Sequence, residues 1–186
     1  MKIDQSKILY TVAALGVIFV LAVGWYTVAR RQHIADQSSL KDNQAVSENI
    51  DRLATIPLTN YQGKQVSVRD FGGKPLVINV WASWCPFCKQ ELPDFATAQQ
   101  EFNGRVVIVA IDRAEPLAVA KQYSDQLNIT NAMPFLIDPA DAFYQAIGGF
   151  AMPETLFIAR DGTIVEHKRG PLALTEIRQK IQMIIK

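Results

Sequence analysis

Cys85 and Cys88 are the only cysteines in a chain of 186 residues, and Pro86-Phe87 alone separates them. Two thiols at that spacing can form a structural disulfide, supply half of a metal site, or cycle between dithiol and disulfide. A structural bridge across so small a loop adds little stability, because the entropy removed from the unfolded chain grows with loop length. A tetrahedral zinc site asks for four ligands, and the histidines to complete it are His33 and His167, one in a polar stretch and the other far along the chain. Redox exchange suits the pair best. A thiolate is the attacking species, and a second thiol one helical turn on can resolve the mixed disulfide that the first one forms.

That chemistry needs a helix starting at the first thiol. Leu76–Trp81 (LVINVW) is almost continuously apolar, as expected of a strand covered on both faces, and a helix is expected over residues 85–102. Cys85 would then lie at a helix N-terminus, where unpaired N–H groups and the macrodipole favour negative charge. This lowers a thiol pKa. Pro86 suits an early helical position because no donor is needed there. Pro93 removes a donor deeper in the helix and is expected to interrupt and kink it.

The surrounding pattern is that of an α/β domain. Residues 56–59 and 65–68 flank Asn60-Tyr61-Gln62-Gly63, which suits a hairpin turn. Strands are expected at 106–111 and 135–137, and helices at 116–127 and 141–147, the latter closed by Gly148-Gly149. Asp161-Gly162 between residues 155–159 and 163–167 marks an antiparallel hairpin. Thr175 can cap a last helix whose Ile177, Ile181, Ile184 and Ile185 share one face. The order β-β-β-α-β-α-β-α-β-β-α predicts a mixed sheet flanked by helices.

Upstream, residues 8–29 carry no charge. As a helix they would span about 33 Å, enough for a hydrocarbon core of about 30 Å. Trp25 and Tyr26 would suit the lipid interface. The expected layout is a short N-terminus at 1–7, a transmembrane anchor at 8–29 in the lipid bilayer, a polar tether at 30–55 and a globular domain at 56–186. The net charge of +1 provides no basic surface for nucleic acid.

The stretches GGKPLVINVWASWCPFCKQELP, VVIVAID and MPETLFIARDGTIV together resemble the membrane-anchored, thioredoxin-like thiol–disulfide oxidoreductases of bacteria, the TlpA, ResA and CcmG (DsbE) group. The resemblance covers the whole globular domain. It implies a thioredoxin-like fold with an N-terminal transmembrane helix, placed in the bacterial inner membrane with the catalytic domain on the periplasmic side. Cys85 would be the exposed attacking thiol and Cys88 the resolving one, with their redox-active disulfide in place of any cofactor. The copper-delivering relatives have a wider cysteine spacing and a nearby histidine, so no metal is expected. Pro153 falls at the family's cis-proline, which pairs with substrate backbone, and Met152 precedes it. Trp84, Pro86 and Phe87 would border the substrate. Glu154 either shapes substrate choice or is an exposed strand residue.

Asn79 stands where thioredoxin has a buried aspartate. An amide cannot exchange protons with Cys88, so Glu115 is expected either to relay them or simply to favour a helix N-terminus. Phe87 supplies neither charge nor donor between the thiols, which points to a reducing pair. By the resemblance, the expected substrates are disulfides of exported proteins, apocytochrome c among them, and the expected electron donor is a membrane protein of the DsbD or CcdA type. An oxidase or isomerase is the main alternative. A thiol peroxidase or a non-enzymatic binding protein is further from the pattern.

Overall fold

The computed structural model describes residues 24–26 and 51–186. Gly24–Tyr26 are helical, and the rest of the expected anchor and most of the tether lie outside the described residues. Among the described residues, no helix is long and apolar enough to cross a membrane.

The domain is built on a seven-stranded mixed sheet. Its strands are β1 (Leu58–Asn60), β2 (Gln65–Val66), β3 (Leu76–Trp81), β4 (Val107–Arg113), β5 (Phe135–Asp138), β6 (Glu154–Ile158) and β7 (Ile164–Arg169). Their spatial order is β2-β1-β5-β4-β3-β6-β7. The three central strands β5, β4 and β3 run parallel, and an antiparallel hairpin lies on each side of them. Parallel neighbours need long crossovers. Helix α1 (Pro86–Glu101) joins β3 to β4, and α2 (Leu117–Gln126) lies between β4 and β5. Helix α3 (Ala142–Ala146) and the C-terminal α4 (Leu174–Ile184) complete the order.

Alternation along the strands divides the core in two. Val77 and Trp81 of β3, with Ile108 and Ala110 of β4, face α1 and α4 and pack on Leu92, Phe95, Ile177 and Ile181. Leu76, Ile78 and Val80, with Val109 and Ile111, face the other way and pack on Phe143, Leu58 and Leu53. Phe95 has no exposed surface. Phe95→Ala is therefore expected to lower unfolding free energy by about 3–5 kcal/mol in urea titrations.

Three expectations change. Helix α1 runs unbroken through Pro93. The cap of α4 is not Thr175: the Ala173 N–H donates to the Glu176 carboxylate (3.2 Å) and the Leu174 N–H to Asp94 (3.0 Å). Nearby acids thus meet the orphan donors at this helix start. Finally, packing reaches back into the segment read as tether, since residues 51–54 are helical and Leu53 is buried.

Candidate active site

Strand β3 ends at Trp81, and residues 82–85 turn the chain into α1. The Cys85 N–H closes that turn on the Ala82 carbonyl (3.1 Å). Cys85 is the N-cap of α1, and its Sγ accepts the Cys88 N–H at 3.1 Å. A sulfur held there gains one of the helix's orphan donors and the positive end of its dipole. Pro86 occupies the first helical position. Cys85 and Cys88 are joined as a disulfide, with their Cα atoms 5.3 Å apart.

The first cysteine is less open than expected. Cys85 retains only 2% of its surface and Cys88 none. Solvent instead meets the side chains around them: Trp84 is 60% and Phe87 50% exposed. Sequence spacing shows that Cys85 starts a helix, but not that tertiary packing buries it.

The Met152-Pro153 peptide bond is cis. Val80 pairs with Glu154 across β3 and β6, which brings Pro153 level with Trp81, where the dithiol segment departs. Met152 packs against the core cluster that contains both cysteines. Phe150, at the tip of the same loop, is 83% exposed and belongs with Trp84 and Phe87 as an accessible aromatic that sequence reading missed.

Glu154 is not the exposed strand residue that one of its two expectations made it. It is fully buried. One carboxylate oxygen accepts the N–H groups of Phe150 (2.7 Å) and Ala151 (2.6 Å), and the other pairs with His167 Nε2 at 2.5 Å. The Arg169 guanidinium approaches that second oxygen at 3.9 Å. These contacts satisfy a buried polar group and anchor the loop from below. Glu154 thus positions the loop that carries Phe150, Met152 and Pro153.

Beneath the dithiol, the ends of β3, β4 and β6 carry polar groups where the core is otherwise apolar. Asn79 donates through Nδ2 to Glu91 Oε1 (2.7 Å) and Thr155 Oγ1 (3.1 Å), while its Oδ1 has no partner among the described residues. Glu91 lies three residues after Cys88 in α1, hence on the same face one turn on. Its second oxygen accepts the Leu172 N–H (3.0 Å). Burial is the main cause that raises the Glu91 carboxyl to about 7, against the bonds from Asn79 and Leu172, which pull it down.

Glu115 meets the turn that precedes Cys85. Its carboxylate accepts both the N–H and the Oγ–H of Ser83, each at 2.6 Å, and so holds the segment between β3 and Cys85. Its own N–H donates to Asp112 Oδ1 (3.1 Å). The acid one turn from Cys88 is Glu91. Its signal was in the sequence, because Cys88, Glu91, Leu92 and Phe95 fall on one helical stripe.

Comparisons with known proteins agree with this geometry. The Redoxin family model matches residues 38–181, well over half of the chain. The chain is 24% identical over 128 residues to the thiol-disulfide oxidoreductase ResA of Bacillus thuringiensis subsp. konkukian (strain 97-27), covering 68% of this chain and 73% of that one. It is 28% identical over 131 residues to the thioredoxin-like protein YneN of Bacillus subtilis (strain 168), covering 68% and 74%. A secreted Mycobacterium tuberculosis disulfide oxidoreductase homologous to Escherichia coli DsbE superimposes with a TM-score of 0.63 at 22% identity, over 72% of this chain and 98% of that one. With two cysteines bridged at the N-cap of the helix that follows a central strand, and with these relatives, the chain belongs to the Redoxin family and is a thiol–disulfide oxidoreductase of thioredoxin-like fold.

Proposed function

We propose that this oxidoreductase is a membrane-anchored reductase of disulfides in exported proteins, apocytochrome c among them. It is held by residues 8–29 in the bacterial inner membrane with its dithiol on the extracytoplasmic side. The observation that carries the reducing direction is the helix start itself. Cys85 Sγ receives one backbone donor, from Cys88, and the intervening Pro86-Phe87 brings no charge or further donor to stabilise the dithiol form.

In the reaction, the Cys85 thiolate attacks one sulfur of a substrate disulfide. That S–S bond breaks, an enzyme–substrate mixed disulfide forms, and the other substrate sulfur leaves as thiolate. Cys88 gives up its proton and attacks Cys85 Sγ, releasing the second substrate sulfur and closing the Cys85–Cys88 bridge. The substrate gains two electrons, and a membrane donor of the DsbD or CcdA type returns two to the enzyme. Trp84, Phe87, Met152 and Phe150 supply the apolar surface met by the substrate chain, and Pro153 borders the attacked sulfur.

Equilibration with glutathione redox buffers tests the direction. The expected potential lies near that of thioredoxin, about −270 mV. A value near −120 mV, that of a strong oxidant, would replace the reductase reading with an oxidase. A Cys88→Ala chain is expected to accumulate mixed disulfides through Cys85 with exported proteins, and the captured set identifies the substrates. Release of the full chain from membranes by alkaline carbonate would count against the anchor.

A further inference from the structure

Asp112 ends the apolar run of β4 opposite Trp81 of β3 and has no exposed surface. Its Oδ1 accepts the Glu115 N–H, but its Oδ2 is buried without a hydrogen-bond partner among the described residues. An ionised carboxylate in that state pays a desolvation cost with little return. The neighbouring groups do not relieve it. Glu115 follows in the next loop, Asp138 comes from β5, and the phenol of Tyr61 approaches from the β1–β2 turn. Arg113, the adjacent cation, is committed to Asp141 on bidentate bonds of 2.8 Å, and Glu91 of α1 bonds Asn79.

We propose that Asp112 is a positioning residue whose proton lets Glu115 keep its grip on Ser83, and thereby holds the segment that presents Cys85. With Asp112 neutral, the Glu115 carboxylate carries the only negative charge of the pair and sits against the Ser83 N–H and hydroxyl. When Asp112 loses its proton, two carboxylates joined through one short turn repel each other at low local dielectric. Glu115 then withdraws from Ser83, and the turn that closes on the Cys85 N–H loosens. Burial first, and the Glu115 carboxyl second, place this ionisation at about 8. The dithiol's reactivity is thereby tied to a group that touches neither sulfur. This regulation rests on the Cys85–Cys88 pair being the reacting group.

The test uses the oxidised, isotope-labelled full chain in detergent micelles, where no thiol titrates, and follows backbone amides by NMR with rising pH. The Ser83 and Glu115 amides are expected to shift together in one step near pH 8. Above it, Ser83 amide exchange should rise about tenfold beyond its intrinsic increase, as for loss of a charge-assisted hydrogen bond. Asp112→Asn should abolish both changes. Glu115→Gln, a second route should that variant misfold, should move the step to lower pH and uncouple Ser83 from it. A Ser83 amide that stays flat in the native chain, a step that survives Asp112→Asn, or one unmoved by Glu115→Gln overturns the proposal. Insulin reduction measured on the same samples separates the two levels. Normal turnover without the amide step removes the linkage alone, and the step without turnover removes the reductase while leaving the linkage standing.

Discussion

Cys85→Ser is expected to bring protein-disulfide reduction down to the uncatalysed background, a loss of at least about a thousandfold. The reason is local. Serine at the N-cap can still accept the Cys88 N–H, so the helix start survives, but a hydroxyl there is not ionised at neutral pH and forms no mixed disulfide. Cys88→Ala should differ in kind. The first attack persists and one equivalent of substrate is captured, while turnover stops because nothing displaces it. Insulin reduction for turnover and gel-shift trapping for the single event distinguish the two variants. A Cys85→Ser chain retaining a tenth of native activity would refute the assignment of the attacking sulfur.

Glu91→Gln should leave the domain more stable but impair its chemistry. The Glu91 carboxyl titrates at about 7 when folded, above its ordinary 4.5, chiefly because it is buried. A group whose folded pKa is raised contributes fully below the unfolded value, and its contribution is lost as pH climbs through the folded one. Stability should therefore decline between about pH 4.5 and 7, by on the order of 3 kcal/mol. Glutamine escapes that decline. It keeps an acceptor for the Leu172 N–H and can turn its amide toward Asn79 Oδ1, which has no partner among the described residues. Urea unfolding of the oxidised chain should show near parity at pH 4 and a variant about 3 kcal/mol more stable at pH 8.5. The same substitution should erase the limb near pH 7 in the turnover profile, because the group that titrates one turn from Cys88 is gone. A native chain whose stability rises through that window would contradict the assignment.

The sheet, its helices and the position of the dithiol were legible in the sequence because each rests on a local signal. The continuous apolar run of β3, the Asp161-Gly162 turn and the proline after Cys85 say what they form without knowledge of distant contacts. What was not legible depends on packing between remote segments. Glu154 looks like a strand residue beside a proline, and its role comes from the loop amides that fold back onto it and from His167 across the hairpin. The burial of Cys85 depends on tertiary packing, which no spacing rule captures. Asp112 and Glu91 lie between these cases. Both sit in phase with buried neighbours, Ile108 and Ala110 for the first, Leu92 and Phe95 for the second, so the sequence marked them as inward-facing acids without showing what they meet.

The two outer strands bear on how such a protein escapes self-association. One rim of the sheet is β2, only two residues long. The other, β7, carries Glu166, His167, Lys168 and Arg169 in succession, with Lys180 of α4 clamped onto Glu166. A short rim and a charged one give little purchase to a wandering polypeptide seeking an unpaired backbone to extend. An enzyme that exchanges disulfides with other protein chains can thus release them without becoming the template on which they aggregate.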